Sequence, residues 1–523
     1  MFDVSAYSLQ DTRRMRLIPI IGLEIHLRLK TQSKMFCGCP NVDDAAPINT
    51  AICHVCTGQP GALPAVNEEA VRLGVRAGLA LNCRIPAEAH FDRKNYFYPD
   101  LPKGYQISQF DHPICIDGEV WIDVPGQEKP RDSIRIGITR AHLEEDAAKN
   151  IHDGASNSTL VDFNRAGVPL LEIVTEPDFR SPIEAKTFLQ ELQAIMRTVG
   201  VSHADMEKGY MRCDANVSLL EIGEDNMPLK AGYNPKIEIK NLNSFRSVER
   251  ALAFEIDRQQ ALYKKGETPQ GATRGWDENQ GQTFEQRLKE TFADYRYFPE
   301  PDLQPLMLEK IAAEERGRLP ELPAASRKRL QDEWGFSPDD AKVIVGNGWL
   351  DFTDAVMGEL GGWLESSDRS DKSAGDLLAE RKTKLAKLAS GWLTSKLAGL
   401  LVQKNISLGE TKIDPENFAE FLHLIETGKI NSANAQKLLA LMIETGKDPS
   451  HIMEEHSLGQ MSDPSALAKI ISDLLAQNPD QVKEIAGGKV ALIKWFVGVV
   501  MKSTEGRANP EAAEQEIKRQ LGL

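Results

Sequence analysis

The run IRIGITRAHLEEDAAKN (134–150), followed after a turn-rich passage by DFNRAGVPLLEIVTEPD (162–178), organises the chain. Each half alternates apolar and polar residues and closes on acids: Glu144, Glu145 and Asp146 in the first, Glu172, Glu176 and Asp178 in the second. A period of two is a strand, in which successive side chains take opposite faces, so the direction of each carboxylate is fixed. Solvated loops also carry acids, and clustering alone decides little. Acids held on strands, however, can collect a divalent cation, and such a cation needs something anionic to act on.

The same period recurs on both sides of this stretch. Ile21, Leu23, Ile25, Leu27 and Leu29 alternate, which puts Glu24, His26 and Arg28 together on the other face. In 213–219, Cys213, Ala215, Val217 and Leu219 oppose Asp214, Asn216 and Ser218; in 236–240, Ile237 and Ile239 oppose Lys236, Glu238 and Lys240. One-sided strands of this kind predict an antiparallel sheet with one covered face. Helices interrupt it at 67–81, with Asn67 as N-cap, at 182–199 behind Ser181, and at 244–264. After residue 308 no alternating strand is evident. Amphipathic helices follow one another, an exposed Ser/Asp-rich loop is expected at 364–375, and IETGK closes two successive helices at 425–429 and 443–447. The fold class is therefore α+β: an N-terminal body on an antiparallel sheet with helices (1–308), then an all-α helical domain (309–460) and a small all-α tail domain (461–523).

The chain of 523 residues has room for two to four domains. A net charge of −15 restricts any nucleic-acid contact to local patches, because phosphates are met by Lys and Arg. The opening MFDVSAYSLQDTRRMRLIP (1–19) lacks the apolar run of a signal peptide, and no run elsewhere approaches the roughly 18 apolar residues of a membrane span. A cytoplasmic protein that does not span the membrane is expected. Seven cysteines, an odd number, argue against a disulfide framework.

Cys37-x-Cys39 and Cys53-x-x-Cys56 form two thiol pairs, the pattern of a tetrahedral structural zinc site, with His54 as a substitute ligand. The alternative is a set of reduced core cysteines. Glu24 and His26 share a strand face; alone they would be an exposed couple, but with the further strand acids Glu144, Glu145, Asp214 and Glu238 they suit magnesium. FDRKNYFYPDLPKGYQISQ (91–109) mixes Arg93, Lys94 and Lys103 with Tyr96, Phe97, Tyr98 and Tyr105. It is either a phosphate-and-base surface or a proline-bent loop pinned to the core. P-loop, dinucleotide and nucleophile-elbow motifs are absent from the sequence.

Taken together, IGLEIHLRL, TGQPGALPAVN, DRKNYFYPDLPKGYQISQ, ITRAHLEEDA, VDFNRAGVPLLEIVTEPD, RCDANVSL, KIEIKNLNSF and DYRYFPEPDL closely resemble the B-subunit family of tRNA-dependent aspartyl/glutamyl amidotransferases, the GatB/GatE family. The blocks stand in family order, and the helical region ending in KSTEGRANPEA resembles that family's helical and YqeY-like tail domains. Departures are local: His54 stands where the family commonly has Pro, and Gln286 where it usually has Met. The resemblance implies a cradle-shaped domain that uses ATP to phosphorylate the side-chain carboxylate of Glu-tRNA(Gln) or Asp-tRNA(Asn). Ammonia from a glutamine-hydrolysing A subunit then displaces phosphate, and a small C subunit completes a heterotrimer. Carried onto this chain, the expected catalytic residues are Glu24, His26, Glu144, Glu145 and Asp214. Magnesium would be held by Glu24, His26, Glu145 and Asp214, and ATP phosphates by Lys94, Arg140 and Lys240. Lys502, Arg507, Lys518 and Arg519 would meet the tRNA elbow, or else be ordinary surface charge at helix ends. The rival function is a non-catalytic tRNA-binding scaffold.

Overall fold

A computed structural model describes residues 16–124, 133–153, 158–223, 227–229, 232–288, 295–367, 372–460, 464–504 and 506–523. The opening segment 1–15 lies outside the described residues. The chain divides into two compact units, Met1–Pro323 and Ala324–Leu523.

In the first unit, the described strands are β1 (Arg16–Arg28), β2 (Asp92–Asn95), β3 (Tyr105–Ser108), β4 (Cys115–Ile122), β5 (Ile134–Glu145), β6 (Pro169–Thr175), β7 (Met211–Ile222), β8 (Ile237–Leu242), β9 (Ala272–Asp277) and β10 (Gln282–Leu288), besides shorter pairs. Eight of them form one sheet in the order β10-β9-β8-β7-β1-β6-β5-β4. Neighbours are antiparallel, as the one-sided alternation predicts, with one exception: β8 and β9 run parallel. A parallel pair needs a crossover, and helix α3 (Phe245–Lys264) is that crossover.

The long strand β1 sits at the middle of the sheet because its odd-numbered residues are apolar. Ile21, Leu23, Ile25, Leu27 and Leu29 are 1 % exposed or less. Burying each such side chain contributes about 1.5–3 kcal/mol. They pack under α1 (Glu68–Ala80), α2 (Pro182–Thr198) and α3, whose Val71, Phe188, Leu192, Val248 and Leu252 join the same core. Each helix begins where a side chain satisfies its free amides: Asn67 accepts from Glu69 and Ala70, Ser181 from Glu184, Ser244 from Ser247. Helix α4 (Glu309–Arg316) is fastened to α1 in this unit, with Arg72 2.7 Å from Glu314 and Arg76 2.7 Å from the fully buried Glu315. The helices therefore cover one face of the sheet and leave Glu24, His26 and Arg28 of β1 outside that core, while Ile18 near the start of the strand packs with Ile222 in a small separate cluster.

In the second unit, α5 (Leu350–Ser367), α6 (Ala374–Ser390), α7 (Pro415–Glu426) and α8 (Ser432–Thr445) surround Trp349, Leu360, Trp392, Phe418, Phe421 and Leu438. The loop expected at 364–375 is shorter than that: Leu364 is buried in this core, so α5 runs on to Ser367, and 368–371 lie outside the described residues. The two IETGK copies do close successive helices, with Gly428 and Gly446 at φ +71° and +67°, the left-handed conformation glycine supplies at a helix end. A second, smaller core holds α9 (Pro464–Gln477), α10 (Leu492–Ser503) and α11 (Pro510–Leu521) around Ile471, Ile493, Phe496 and Ile517. Among the described residues no helix is long and apolar enough to cross a membrane.

Candidate functional site

Strand register sets the polar face. Across β7, β1, β6 and β5, Arg212, His26, Glu172 and His142 stand opposite one another; in the next row stand Asp214, Glu24, Val174 and Arg140. Glu238 and Lys240 on β8 extend the face to one side.

At its centre the His26 Nε2 lies 3.2 Å from Glu144 Oε1 and 3.4 Å from Glu172 Oε2. Glu172 Oε2 is also 3.2 Å from His142 Nε2. Ligand atoms of His26, Glu144 and Glu172 all lie within 4.8 Å of one another. Burial by itself would lower the His26 pKa, but the hydrogen bonds and charges of Glu144 and Glu172 outweigh it and hold the imidazole at about 10. Burial by itself would raise both carboxyls. His26 instead draws Glu144 below its ordinary value, and His142 with His26 draws Glu172 well below. Lys94, reaching in from β2, is pushed down by burial and further up by Glu144, Tyr297 and Glu172, so its ammonium is held charged. The result is a nest of acids whose charge is matched by protein cations.

Around this centre, Asn216 Nδ2 donates to Glu24 Oε1 at 2.9 Å. Asp214 pairs with Lys240, which also lies 3.0 Å from Glu238. Arg212 lies 2.6 Å from Asp146. The buried Nε of Arg140 and Nδ1 of His142 have no hydrogen-bond partner among the described residues. A cavity of about 270 Å³ opens beside Glu24, walled by Leu23, Val174, Pro177 and Tyr233.

The expected residues divide accordingly. Glu24, His26, Glu144, Asp214, Arg140 and Lys240 share one sheet face, with Lys94 against its acids. Glu145 does not join them: it lies 2.5 Å from Lys103 and accepts the Ile107 amide at 3.0 Å. Strand parity explains this, since Glu145 follows the buried Ala141 and Leu143 while Glu144 follows Arg140 and His142. Glu176 and Asp178 are engaged at the β6 end, accepting from the Thr139 hydroxyl at 2.6 Å and the Gly137 amide at 2.9 Å. Two central groups, Glu172 and His142, are absent from the expected set. His142 was findable by parity with Glu144. Glu172 stood among the strand acids of 162–178 but was not carried into that set, because Leu170 and Val174 share its face and blur the alternation.

The stretch 91–109 is in part pinned to the core, the second of the two readings weighed for it. Arg93 is pinned, donating to both carboxylate oxygens of buried Glu300 at 2.7 and 2.8 Å and lying 4.3 Å over the Tyr105 ring. Phe97 and Tyr98 are 89 % and 66 % exposed.

Cys37, Cys39, Cys53 and Cys56 bring their sulfurs within 4.8 Å of one another, and His54 stays exposed outside the group. Tight turns hold the pairs: Lys34 N donates to Cys39 O at 2.9 Å and Thr57 N to Cys53 O at 3.1 Å. Hydrogen bonding from Cys37 lowers Cys56 to about 4, with the Lys34 charge assisting, while burial raises Cys39 to about 11. Lys34 is itself fully buried and donates to Phe163 O at 3.2 Å. In the tail, Lys518 and Arg519 each lie 2.6 Å from an acid of α11, Glu514 and Glu516, and Arg507 donates to Thr504 O at 3.2 Å.

A family model described as the GatB/GatE catalytic domain matches residues 19–314, the unit that carries the polar face, and one described as a GatB domain matches residues 376–521. The B subunit of the aspartyl/glutamyl-tRNA(Asn/Gln) amidotransferase of Thermomicrobium roseum is 44% identical over 507 residues, covering 96% of this chain and 98% of that protein. The protein of the same name from Thermotoga maritima is 43% identical over 512 residues, covering 97% and 99%. That from Brevibacillus brevis is 43% identical over 503 residues, covering 96% and 98%.

Proposed function

The chain belongs to the GatB/GatE family of amidotransferase B subunits, and on that premise we propose that it activates the side-chain carboxylate of Glu-tRNA(Gln), Asp-tRNA(Asn) or both with ATP and then amidates it. The γ-phosphoryl group passes to a carboxylate oxygen, giving an acyl phosphate and ADP. Ammonia attacks the carbonyl carbon, inorganic phosphate leaves with the C–O electron pair, and a proton is lost from nitrogen. A carboxylate is a poor electrophile, and phosphorylation turns its oxygen into a leaving group. Such a transfer needs positioning and charge neutralisation more than a protein nucleophile.

The observation that carries this reading is the convergence of His26, Glu144 and Glu172, beside Glu24 and Asp214, on the polar sheet face of the matched domain. One imidazole and two carboxylates within 4.8 Å fit a divalent cation such as magnesium. When bound there, the cation would supply neutralisation of phosphate charge. Glu24 and Asp214 orient the rim through Asn216 and Lys240. Lys94, Arg140 and Lys240 present cations to phosphate oxygens, and the unpartnered Arg140 Nε is free to donate. The four-cysteine group fits structural zinc, since its four sulfur donors leave no open position. Ammonia comes from a glutamine-hydrolysing A subunit, a small C subunit completes the complex, and the tail domain meets the tRNA elbow. The cytoplasm is the place of work.

The test is reconstitution with the A and C subunits and each misacylated tRNA separately. ATP hydrolysis and amide formation that require the misacylated tRNA are expected, and Glu24→Gln should lose both while still binding tRNA. Full turnover by Glu24→Gln takes that residue out of the site. A wild-type complex that binds tRNA without tRNA-dependent ATP hydrolysis makes the chain a scaffold instead.

A further inference from the structure

Past its last ladder pair, β1 continues extended: the Leu29 amide donates to Pro169 O and the Lys30 amide to Val201 O. Lys30 has the same parity as Glu24 and His26, so the polar face runs on beyond the acids. Four residues at about 3.3 Å each put Lys30 roughly 13 Å along the strand from His26. There an open cavity of about 410 Å³ is lined by Lys30, Arg197, His203, Asp205, Lys208 and Tyr210.

Its charge is unlike that of the acid centre. Lys30, Arg197 and Lys208 are exposed and form no ion pair among the described residues. Among the lining residues the acid is Asp205, engaged in its own turn, accepting the amides of Glu207 at 3.0 Å and Lys208 at 3.2 Å. The Arg197 Nε donates to the His203 carbonyl at 2.7 Å, which fixes the guanidinium at the mouth. Tyr210 closes the wall, its hydroxyl bonded to Asp43 and its ring under the Arg28 guanidinium at 5.3 Å. Burial and then the charge of Lys30 pull His203 below its ordinary range; Asp43 opposes them, and Arg197 and Lys208 add to the lowering. In a chain of net charge −15, three unpaired cations in one concavity form a local anion site.

We propose that this cavity binds a backbone phosphate of the acceptor arm of the tRNA substrate, holding the strand so that the aminoacyl end reaches the acids around His26. This rests on the reading that misacylated tRNA is the substrate. RNA is the occupant the geometry favours, because the site is open, exposed and lies past the end of the strand that carries the reaction centre. A phosphodiester chain can run from one to the other, and it meets cations without needing base contacts.

The experiment is equilibrium binding of misacylated tRNA to the full chain across a salt series. Wild type is compared with the triple variant Lys30→Glu/Arg197→Glu/Lys208→Glu and with Lys310→Glu, an exposed charge control on α4. The triple variant is expected to bind at least tenfold more weakly at about 0.1 M salt. Its slope of log affinity against log salt should be shallower by about 0.7 for each phosphate no longer neutralised, while Lys310→Glu matches wild type. Wild-type binding with an unchanged triple variant overturns the cavity proposal and leaves the tRNA reading intact. Absence of salt-dependent tRNA binding by wild type overturns that reading itself. Inorganic phosphate is the second probe: phosphate binding that the triple variant loses, with tRNA affinity unchanged, makes the cavity a small-anion site and likewise overturns the proposal.

Discussion

Among the described residues two groups of metal-competent side chains lie in the first unit, and they keep their charge in different ways. The acids around His26 are matched by cations of the protein itself: the His26 imidazolium, Lys94, and Lys240 beyond them. The thiols around Cys56 share protons among themselves, with one buried lysine near. On the proposed reading, the first arrangement keeps its charge matched without a metal and can release one between turnovers. The second reaches full charge balance only when a metal replaces the thiol protons. On that reading the difference separates a working site from a structural one more sharply than ligand identity does.

The largest effect is expected from removing the acid that anchors the first group. Glu144→Ala leaves the His26 imidazolium with one carboxylate and Lys94 buried beside a lost charge. Removing one partner of a buried ion pair costs about 3–5 kcal/mol, so urea unfolding should show a loss of that size together with loss of amidation. A loss below about 1 kcal/mol would mean that Glu144 is not the anchor. The thiol group should respond less to mutation than to metal. Where zinc is present at a hundred times its Kd it stabilises by about 2.7 kcal/mol. Chelation, or Cys56→Ser, should therefore lower the melting temperature of the first unit, with zinc content measured in parallel. A melting curve indifferent to chelation returns these residues to the alternative of reduced cysteines.

How much of this contrast was legible in the sequence depended on periodicity. The alternation of Ile21 to Leu29 predicted β1 and put Glu24 and His26 on one face, and the spacing of the cysteine pairs brought four sulfurs together as expected. What escaped was cross-strand register. Nothing local says that Glu172 stands opposite His26, because that depends on the order of β6 and β1 in the sheet. Glu145 shows a different failure: the parity of Ala141 and Leu143 already set it apart from Glu144, but proximity in sequence overrode the period of two. The parallel β8–β9 pair and the seating of α4 on α1 are likewise contacts between distant segments, settled by packing and by the Arg72 and Arg76 ion pairs.

The smallest expected effect tests the internal cation directly. Held at about 10 against an ordinary 6.5, His26 binds its proton in the folded state and has lost it in the unfolded state between those values. The folded chain then carries more protons than the unfolded one, so stability falls as pH rises. The contribution is complete below about pH 6.5 and disappears as pH climbs through 10, with a slope on the order of 1 kcal/mol per pH unit in between. Glu144→Ala should flatten that slope, since the carboxylate that raises the imidazole is gone. A divalent cation must displace the same proton, so affinity for manganese, read by its paramagnetic signal, should rise with pH over this range in wild type. Stability and manganese affinity that are both flat from pH 7 to 9 would show that His26 is neutral in the fold, and the distinction between a self-neutralised acid site and a metal-dependent thiol site would then fail at its first member.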